Sequence, residues 1–490
     1  MSVGPATQMD DAPSSVEPPV PGARPTLAIH GHFYQPARED PFTGHVAPDP
    51  SAAPAHDWND RITIEAYAPN AALGNFGRIG WDLGPTVARW LREHRRELHD
   101  AIMAQATPES VMAQGYHHAI LPLASARDRR TEIRWAMRDV ELRTGYRPTG
   151  LWLPEAAVDW LTLRIAAEEG IRWTILAPWQ ADDGADTRAA HQVDLGDGLR
   201  IVVGFYDAGL SATVSFDAAS TADADRFAAG PVSQRLSDGG TALICTDGEL
   251  YGHHQPFRDL FLQRLLTDGA SDRGIEVMSP GSWLGSLDAA DLPLTGIAER
   301  TSWSCHHGVA RWSSECGCAA DGRWKAPLRQ ALDRLAGAID SLTETRLAAV
   351  DLDVWAARDR YVDVASGYLA AGDWVEDELG RAGRPGELVA GGLLLTLMRA
   401  QASRLAMFAS CGWYWEDPRR PETAQVLRFA AHAVRLVDEA CGTNLEQTLM
   451  DELVAVRIPR GASGLDLYAE ALDPIGQLRF GDRSGRARQA

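Results

Sequence analysis

TALICTDGELYGHH, residues 241–254, decides how this chain is read. Ala242–Cys245 is short, bulky and apolar, and a turn-forming glycine, Gly248, follows closely. Such a run reads as a buried strand of a parallel sheet. Asp247 then stands at the C-terminal end of the strand, where chemistry collects in β/α barrels and open α/β sheets. GLWLPE (Gly150–Glu155) repeats the pattern and ends in Glu155. Two acids so placed are what glycosidic cleavage needs, one as nucleophile and one as proton donor. Taken singly, either acid is also a cap for the following helix or a partner for an arginine.

Outward from these runs, Leu27–His30, Trp173–Leu176, Leu199–Val203 and Ile275–Met278 are further strand candidates. Helices are expected between several of them, over Pro85–Leu98, Asp128–Leu142, Ala222–Leu236 and Phe257–Leu266. Strands alternating with helices imply a parallel α/β sheet, open or closed into a barrel. Pro36–His56 is rich in Pro and Asp and reads as a long loop over one face. Beyond Cys318, Leu328, Leu332, Leu335, Ile339 and Leu342 recur at helical spacing, as do Leu427, Ala431, Val434 and Val437. The expected layout is a disordered tail over residues 1–24, a catalytic barrel over 25–320, an all-helical domain over 321–455 and a partly irregular extension over 456–490.

The 490 residues are 45% hydrophobic and 23% charged, enough for two domains. A net charge of −20 lacks the basic face of a nucleic-acid binder and is indifferent to a neutral polysaccharide. The first twenty residues have no apolar core and no run of about 18 apolar residues occurs, so neither signal peptide nor membrane span is expected. With only six cysteines, the protein reads as cytoplasmic and reduced. Sixteen tryptophans, several in polar segments, suit stacking on the apolar faces of sugar rings.

Histidines gather at strand ends. His30 and His32 in AIHGHFYQP, at i and i+2, point the same way, toward a metal, a sugar hydroxyl or the nucleophile. Gln35 adds an amide able to grip hydroxyls. His117 and His118 follow the strand-like Val111–Ala113. TSWSCHHGVARWSSECGC (Thr301–Cys318) holds Trp303, Trp312 and three cysteines. Its Cys305, Cys316 and Cys318 do not have regular zinc spacing, and the segment reads as an aromatic, donor-rich loop lining a pocket, with no metal.

IHGHFYQP, HHAILPL, GLWLPEAAVD, DGELYGHH and TSWSCHHGVARW, in this order over roughly residues 27–312, resemble the five sequence regions of the family-57 glycoside hydrolases. The segment SCGWYW (Ser410–Trp415) looks like part of that family's C-terminal domain, in a subgroup with its own helical region. The resemblance implies a distorted (β/α)7 barrel, α-glucan substrates and a retaining mechanism without cofactor or metal. It implies Glu155 as nucleophile and Asp247 as general acid/base. His30, His32, Gln35, His118, Trp303, Trp312 and Trp413 would bind substrate, joined by Trp152 and His253 from within the W-L-P-E and D-G-E-L-Y-G-H regions. This chain departs from the pattern at Phe33-Tyr34, at Gly412, where branching-type members carry Asp, and at His254-Gln255, where a Trp pair is usual. Mutual repulsion and partial burial are expected to raise the pKa of Asp247. Glu249 is expected to position a neighbour. Two alternatives stand beside this reading: a zinc-dependent polysaccharide deacetylase on a related barrel, and a carbohydrate-binding protein without catalysis. Oligomeric state is left open.

Overall fold

The computed structural model describes residues 24–318, 321–458 and 461–473. The expected N-terminal tail and the end of the C-terminal extension therefore lie largely outside the described residues. Nine strands are present among the described residues: β1 (Thr26–Phe33), β2 (Gly80–Leu83), β3 (Ala113–Gln114), β4 (Gly150–Trp152), β5 (Trp173–Leu176), β6 (Ala190–Asp194), β7 (Arg200–Phe205), β8 (Thr241–Asp247) and β9 (Glu276–Met278). In one sheet β1 lies between β8 on one side and β2 and β9 on the other, all parallel to it. The second sheet has the order β3-β4-β5-β7-β6, parallel except for the antiparallel β6–β7 pair. A parallel bridge between Trp81 and Val111 joins the sheets.

Seven parallel strands, β1 to β5 with β7 and β8, thus form the wall of a distorted α/β barrel. Among the described residues no ladder closes it between β7 and β8; the N–H of Asp207 donates to the carbonyl of Leu243 across that gap at 2.7 Å. β1 is buried at all eight positions, as a strand covered on both faces must be.

Three local expectations need correction. β1 continues to Phe33, so His32 as well as His30 lies within the strand. The helix expected over Pro85–Leu98 breaks at Arg95, whose φ of −141° is not helical, into Pro85–His94 and Arg96–Met103. β2 and β6 were not anticipated: GWDL and AHQVD lack a bulky apolar run, and each is held by its neighbouring strand.

The C-terminal region is helical. Lys325–Ala348, Leu388–Ala406 and Pro421–Cys441 bury Leu328, Leu332, Ile339, Leu397, Leu427 and Val434 among themselves. Gly464–Leu472 adds a helix whose Ala471 carbonyl accepts from Arg428 at 2.7 Å. A buried ion network fastens this region to the barrel. Asp128, on helix Ala126–Thr144, pairs with Arg358 at 3.0 Å and Arg404 at 2.6 Å, and Arg404 also pairs with Asp340 at 2.7 Å. Removing one member of such a network leaves an uncompensated buried charge. The long loop after β1 lies on the same region, where Gln425 donates to the carbonyl of Glu39 at 2.7 Å. No helix among the described residues is long and apolar enough to cross a membrane.

Candidate active site

The C-terminal ends of β1, β2, β4 and β8 meet at one cleft. In register, His32 of β1 lies between Asp82 of β2 and Asp247 of β8. Gly248 permits the turn after Asp247, since a Cβ there would stand 2.3 Å from the Phe33 ring.

The floor is a hydrogen-bonded chain. Asp82 binds His30 Nε2 through Oδ1 and His32 Nδ1 through Oδ2, each at 2.7 Å. His32 Nε2 meets His118 Nε2 at 3.2 Å, and His118 Nδ1 meets Ser410 Oγ at 2.7 Å. The charges fix the protons along it. Burial pulls His32 down, yet Asp82, helped by Asp247 and Glu249, outweighs it and lifts the pKa to about 9. Burial and the neighbouring His32 charge push His118 well below its ordinary value. Burial resists ionisation of Asp82, but His32 and the two histidine hydrogen bonds hold its pKa down. Cationic His32 therefore donates to both Asp82 and neutral His118, and His118 donates onward to Ser410. Trp152, with 0% exposure, stacks on His30 and His32 at centroid distances of 4.7 and 5.2 Å.

Glu155 stands above this floor. Its backbone is left-handed, with φ 57° and ψ 22°, and Ala156 follows with φ 46°. Two successive non-glycine residues in this region store strain of roughly 1–3 kcal/mol each, a cost that surrounding contacts must offset. Those contacts come from the loop after residue 300. Trp303 N–H donates to the Glu155 carbonyl at 3.1 Å, and Ser304 Oγ and Trp303 Nε1 donate to Oε2 at 2.8 and 3.4 Å. Burial raises the Glu155 pKa and Asp247 adds to the rise, against the Ser304 bond, the His32 charge and the Trp303 bond. Asp247, by contrast, is exposed at the end of a regular strand. The partial burial expected of Asp247 is found at Glu155, which is half-buried, whereas Asp247 is exposed.

Glu249 is fixed beneath Asp247 by Tyr67 Oη at 2.6 Å and Tyr34 N–H at 3.1 Å, with Gln35 Nε2 at 3.5 Å. Burial, with Asp247 nearby, lifts its pKa to about 7 against the Tyr67 bond. Gln35 is thus engaged with Glu249 and also accepts from Arg38 at 3.1 Å.

Not every residue expected at the site reaches it. Trp152, Trp312 and Trp413, with 0%, 0% and 1% exposure, are buried and offer no face to a sugar here. Trp413 stacks on Trp324 at 6.1 Å, and Trp312 packs against Tyr414. The helical region instead presents Tyr414, half-buried, stacked under Arg311 at 3.8 Å and within electrostatic reach of both Glu155 and Asp247. His253 pairs with Glu65 and lies edge-on to Trp58 at 5.9 Å. Gly412 faces helix Pro421–Cys441, where a Cβ would stand 2.3 Å from Val426 Cγ2, so an acid at this position has no room. His117 binds Glu132 at 2.7 Å, off the floor chain.

Asp82, Ser304, Ser410 and Tyr414 were missed. Asp82 carried a usable signal: Trp81-Asp82-Leu83 precedes Gly84-Pro85, a strand-end acid before turn residues, as at Glu155 and Asp247. Trp179 was missed as well. It is 47% exposed, donates to the Ser302 carbonyl at 3.0 Å and continues an aromatic file from Trp152 through Trp303 and Tyr206 to the surface.

Comparisons with known proteins agree with this layout. A family model described as glycosyl hydrolase family 57 matches residues 21–292. A second, described as a domain of unknown function (DUF3536), matches residues 321–476. Among solved structures, an exo-type maltose-forming amylase from Pyrococcus sp. ST04 is 14% identical, with 93% of this chain and 91% of that chain covered and a TM-score of 0.70. An alpha-amylase from Thermotoga maritima is 12% identical, with coverages of 91% and 99% and a TM-score of 0.56. A branching enzyme from Pyrococcus horikoshii is 13% identical, with coverages of 91% and 94% and a TM-score of 0.54. At such identities the likeness is one of fold. No curated protein matches.

Proposed function

Since the matched residues span more than half of it, the chain belongs to glycosyl hydrolase family 57, and on that premise we propose that it is a retaining glycoside hydrolase or transglycosylase acting on α-glucans. The observation that carries the proposal is the coupling of Glu155 and Asp247 across one cleft, with His32 and Tyr414 within electrostatic reach of both. The family's solved relatives named above, an amylase and a branching enzyme among them, support the substrate class.

Glu155 is the nucleophile. Ser304 and Trp303 hold the carboxylate oxygen, and cationic His32 favours its ionised form, so it stays aimed although half-buried. Asp247 is the general acid/base. It is exposed at the end of its strand, where it can exchange protons with leaving groups and acceptors. In the first step Glu155 attacks the anomeric carbon while Asp247 protonates the departing oxygen. In the second, Asp247 takes the proton of the incoming hydroxyl, which displaces Glu155. Water as acceptor gives hydrolysis; a glucan hydroxyl gives transfer. Trp303 and, on the far side of buried Tyr206, exposed Trp179 offer aromatic edges and faces for the flanking sugars.

The deacetylase alternative loses support from the family match over residues 21–292. The testing experiment is incubation with maltooligosaccharides, amylose and glycogen, followed by linkage analysis of the products. Cleavage or rejoining of α-glucosidic bonds, lost in Glu155→Gln, is expected; deacetylation without glycosidic turnover would overturn the proposal.

A further inference from the structure

The loop that holds Glu155 contains a second cluster that the chemistry above does not use. Cys305, His307, Cys316 and Cys318 bring one ligand atom each to a common point, all within 4.8 Å of one another. Among the described residues this is the one group of His, Cys, Asp and Glu side chains so gathered. Cys305 Sγ lies 3.8 Å from Cys318 Sγ, and His307 Nδ1 lies 3.4 Å from Cys318 Sγ and 4.0 Å from Cys305 Sγ. Zinc bonded to sulfur at about 2.3 Å and to nitrogen at about 2.0–2.1 Å would set tetrahedral edges of about 3.8 Å between sulfurs and about 3.6 Å from sulfur to nitrogen. A disulfide needs its sulfurs near 2.05 Å, far closer than the 3.8 Å seen between Cys305 and Cys318.

We infer that Cys305, His307, Cys316 and Cys318 form a structural zinc site of the Cys3His type. The spacing is two short pairs, C-x-H and C-x-C, separated by the 3-10 turn Gly308–Trp312. Considering cysteines alone hides it, because the second ligand is His307. Binding releases the thiol protons of the three cysteines to solvent, and neutral His307 supplies nitrogen, leaving the complex with one negative charge. Lys325 answers that charge. It is fully buried, its ammonium donates to the Arg311 carbonyl at 2.7 Å, and it lies within electrostatic reach of Cys305 and Cys316. Four protein ligands leave no open position, so the ion braces and does not catalyse.

What it braces is adjacent. Cys305 follows Trp303 and Ser304, the residues that bind Glu155, and Cys318 shortly precedes helix Lys325–Ala348. Zinc would close the loop onto itself at the point where the barrel passes into the helical region. The metal claim itself needs no glucan and stands apart from the proposed activity; only the bracing of Glu155 rests on it. Zinc found here is also no argument for a zinc hydrolase, since these ligands are not the cleft histidines.

The test is metal analysis of the full-length protein purified under reducing conditions without chelator, followed by cobalt titration of the chelator-treated protein. About one zinc per chain is expected, with thiolate-to-cobalt charge-transfer and tetrahedral d–d bands on titration. Cys318→Ser, at an exposed ligand, should weaken metal affinity at least ~10- to 100-fold and remove much of the charge-transfer intensity. A wild-type protein that binds neither zinc nor cobalt through thiolate overturns the inference, whether or not it turns over glucan. So does peptide mapping that finds Cys305 joined to Cys318 in the zinc-supplemented protein.

Discussion

Glu155 and Asp247 are electrostatically coupled, yet they are built in opposite ways. Glu155 is half-buried, sits on a left-handed backbone and is held by two donors from a loop about 150 residues later in the chain. Asp247 ends an unstrained strand in register with His32 and is exposed. The difference fits the division of labour proposed for them. A nucleophile gains from being aimed before substrate arrives, because orientation is then supplied in advance. A general acid/base must exchange protons with leaving groups and acceptors, and an open position permits this.

Removing either carboxylate is the severest challenge to this contrast. Asp247→Asn should lower glucan turnover by roughly 10²–10⁴-fold, and Glu155→Gln should lower it at least as far, with circular dichroism unchanged. The two then separate with an α-glycosyl fluoride, whose departure needs no proton donor: Asp247→Asn should still form the glycosyl enzyme, and Glu155→Gln should not. Equal recovery in both would erase the distinction.

The helical region sharpens the contrast next. Trp413→Ala should cost about 3–5 kcal/mol of stability, as expected for a buried indole. Tyr414→Phe should leave the melting midpoint nearly in place and reduce turnover, because it is the hydroxyl that stands near the carboxylates. Thermal melts beside initial rates decide it; the reverse pattern would restore Trp413 to the cleft.

The floor makes a pH-dependent contribution. His32 is raised from 6.5 to about 9 by Asp82. Its stabilisation is therefore fully present below pH 6.5 and is lost as pH rises through about 9. Asp82→Asn should remove about 1.5–3 kcal/mol and flatten that part of the stability profile, read by denaturation at several pH values.

The smallest effect expected is at Ser304. Ser304→Ala removes a hydrogen bond that lowers the Glu155 pKa, so the acidic limb of kcat/KM should move to higher pH. In Asp247→Asn, assayed with the fluoride, loss of the nearby negative charge should move the limb to lower pH. Opposite shifts follow only if the limb reports Glu155.

The residues that read clearly in the sequence were those whose signal is local. Glu155 and Asp247 announce themselves by terminating apolar runs, and His30 and His32 by their i, i+2 spacing. The alternating β/α order and the helical periodicity beyond residue 320 foretold a distorted α/β barrel followed by helices. What escaped depends on distant segments meeting. Ser304 matters because residues 301–304 return to Glu155, and Ser410 because it reaches His118 across 292 positions. Trp413 and Tyr414 are neighbours in a short helix, and which one faces the cleft is set by packing on Trp324 and Arg311, not by sequence. His307 escaped for a related reason: C-x-H and C-x-C become one cluster only when the intervening turn folds back.

Azide rescue of the two alanine variants tests the central assignment most directly. With an activated α-glucosyl substrate, Glu155→Ala should yield the β-glucosyl azide, since azide replaces the missing nucleophile in a single inversion. Asp247→Ala should yield the α-glucosyl azide, since azide intercepts the glycosyl enzyme after a first inversion. The opposite anomers, or unimpaired turnover without azide in either variant, would contradict the assignment of Glu155 as nucleophile and Asp247 as acid/base.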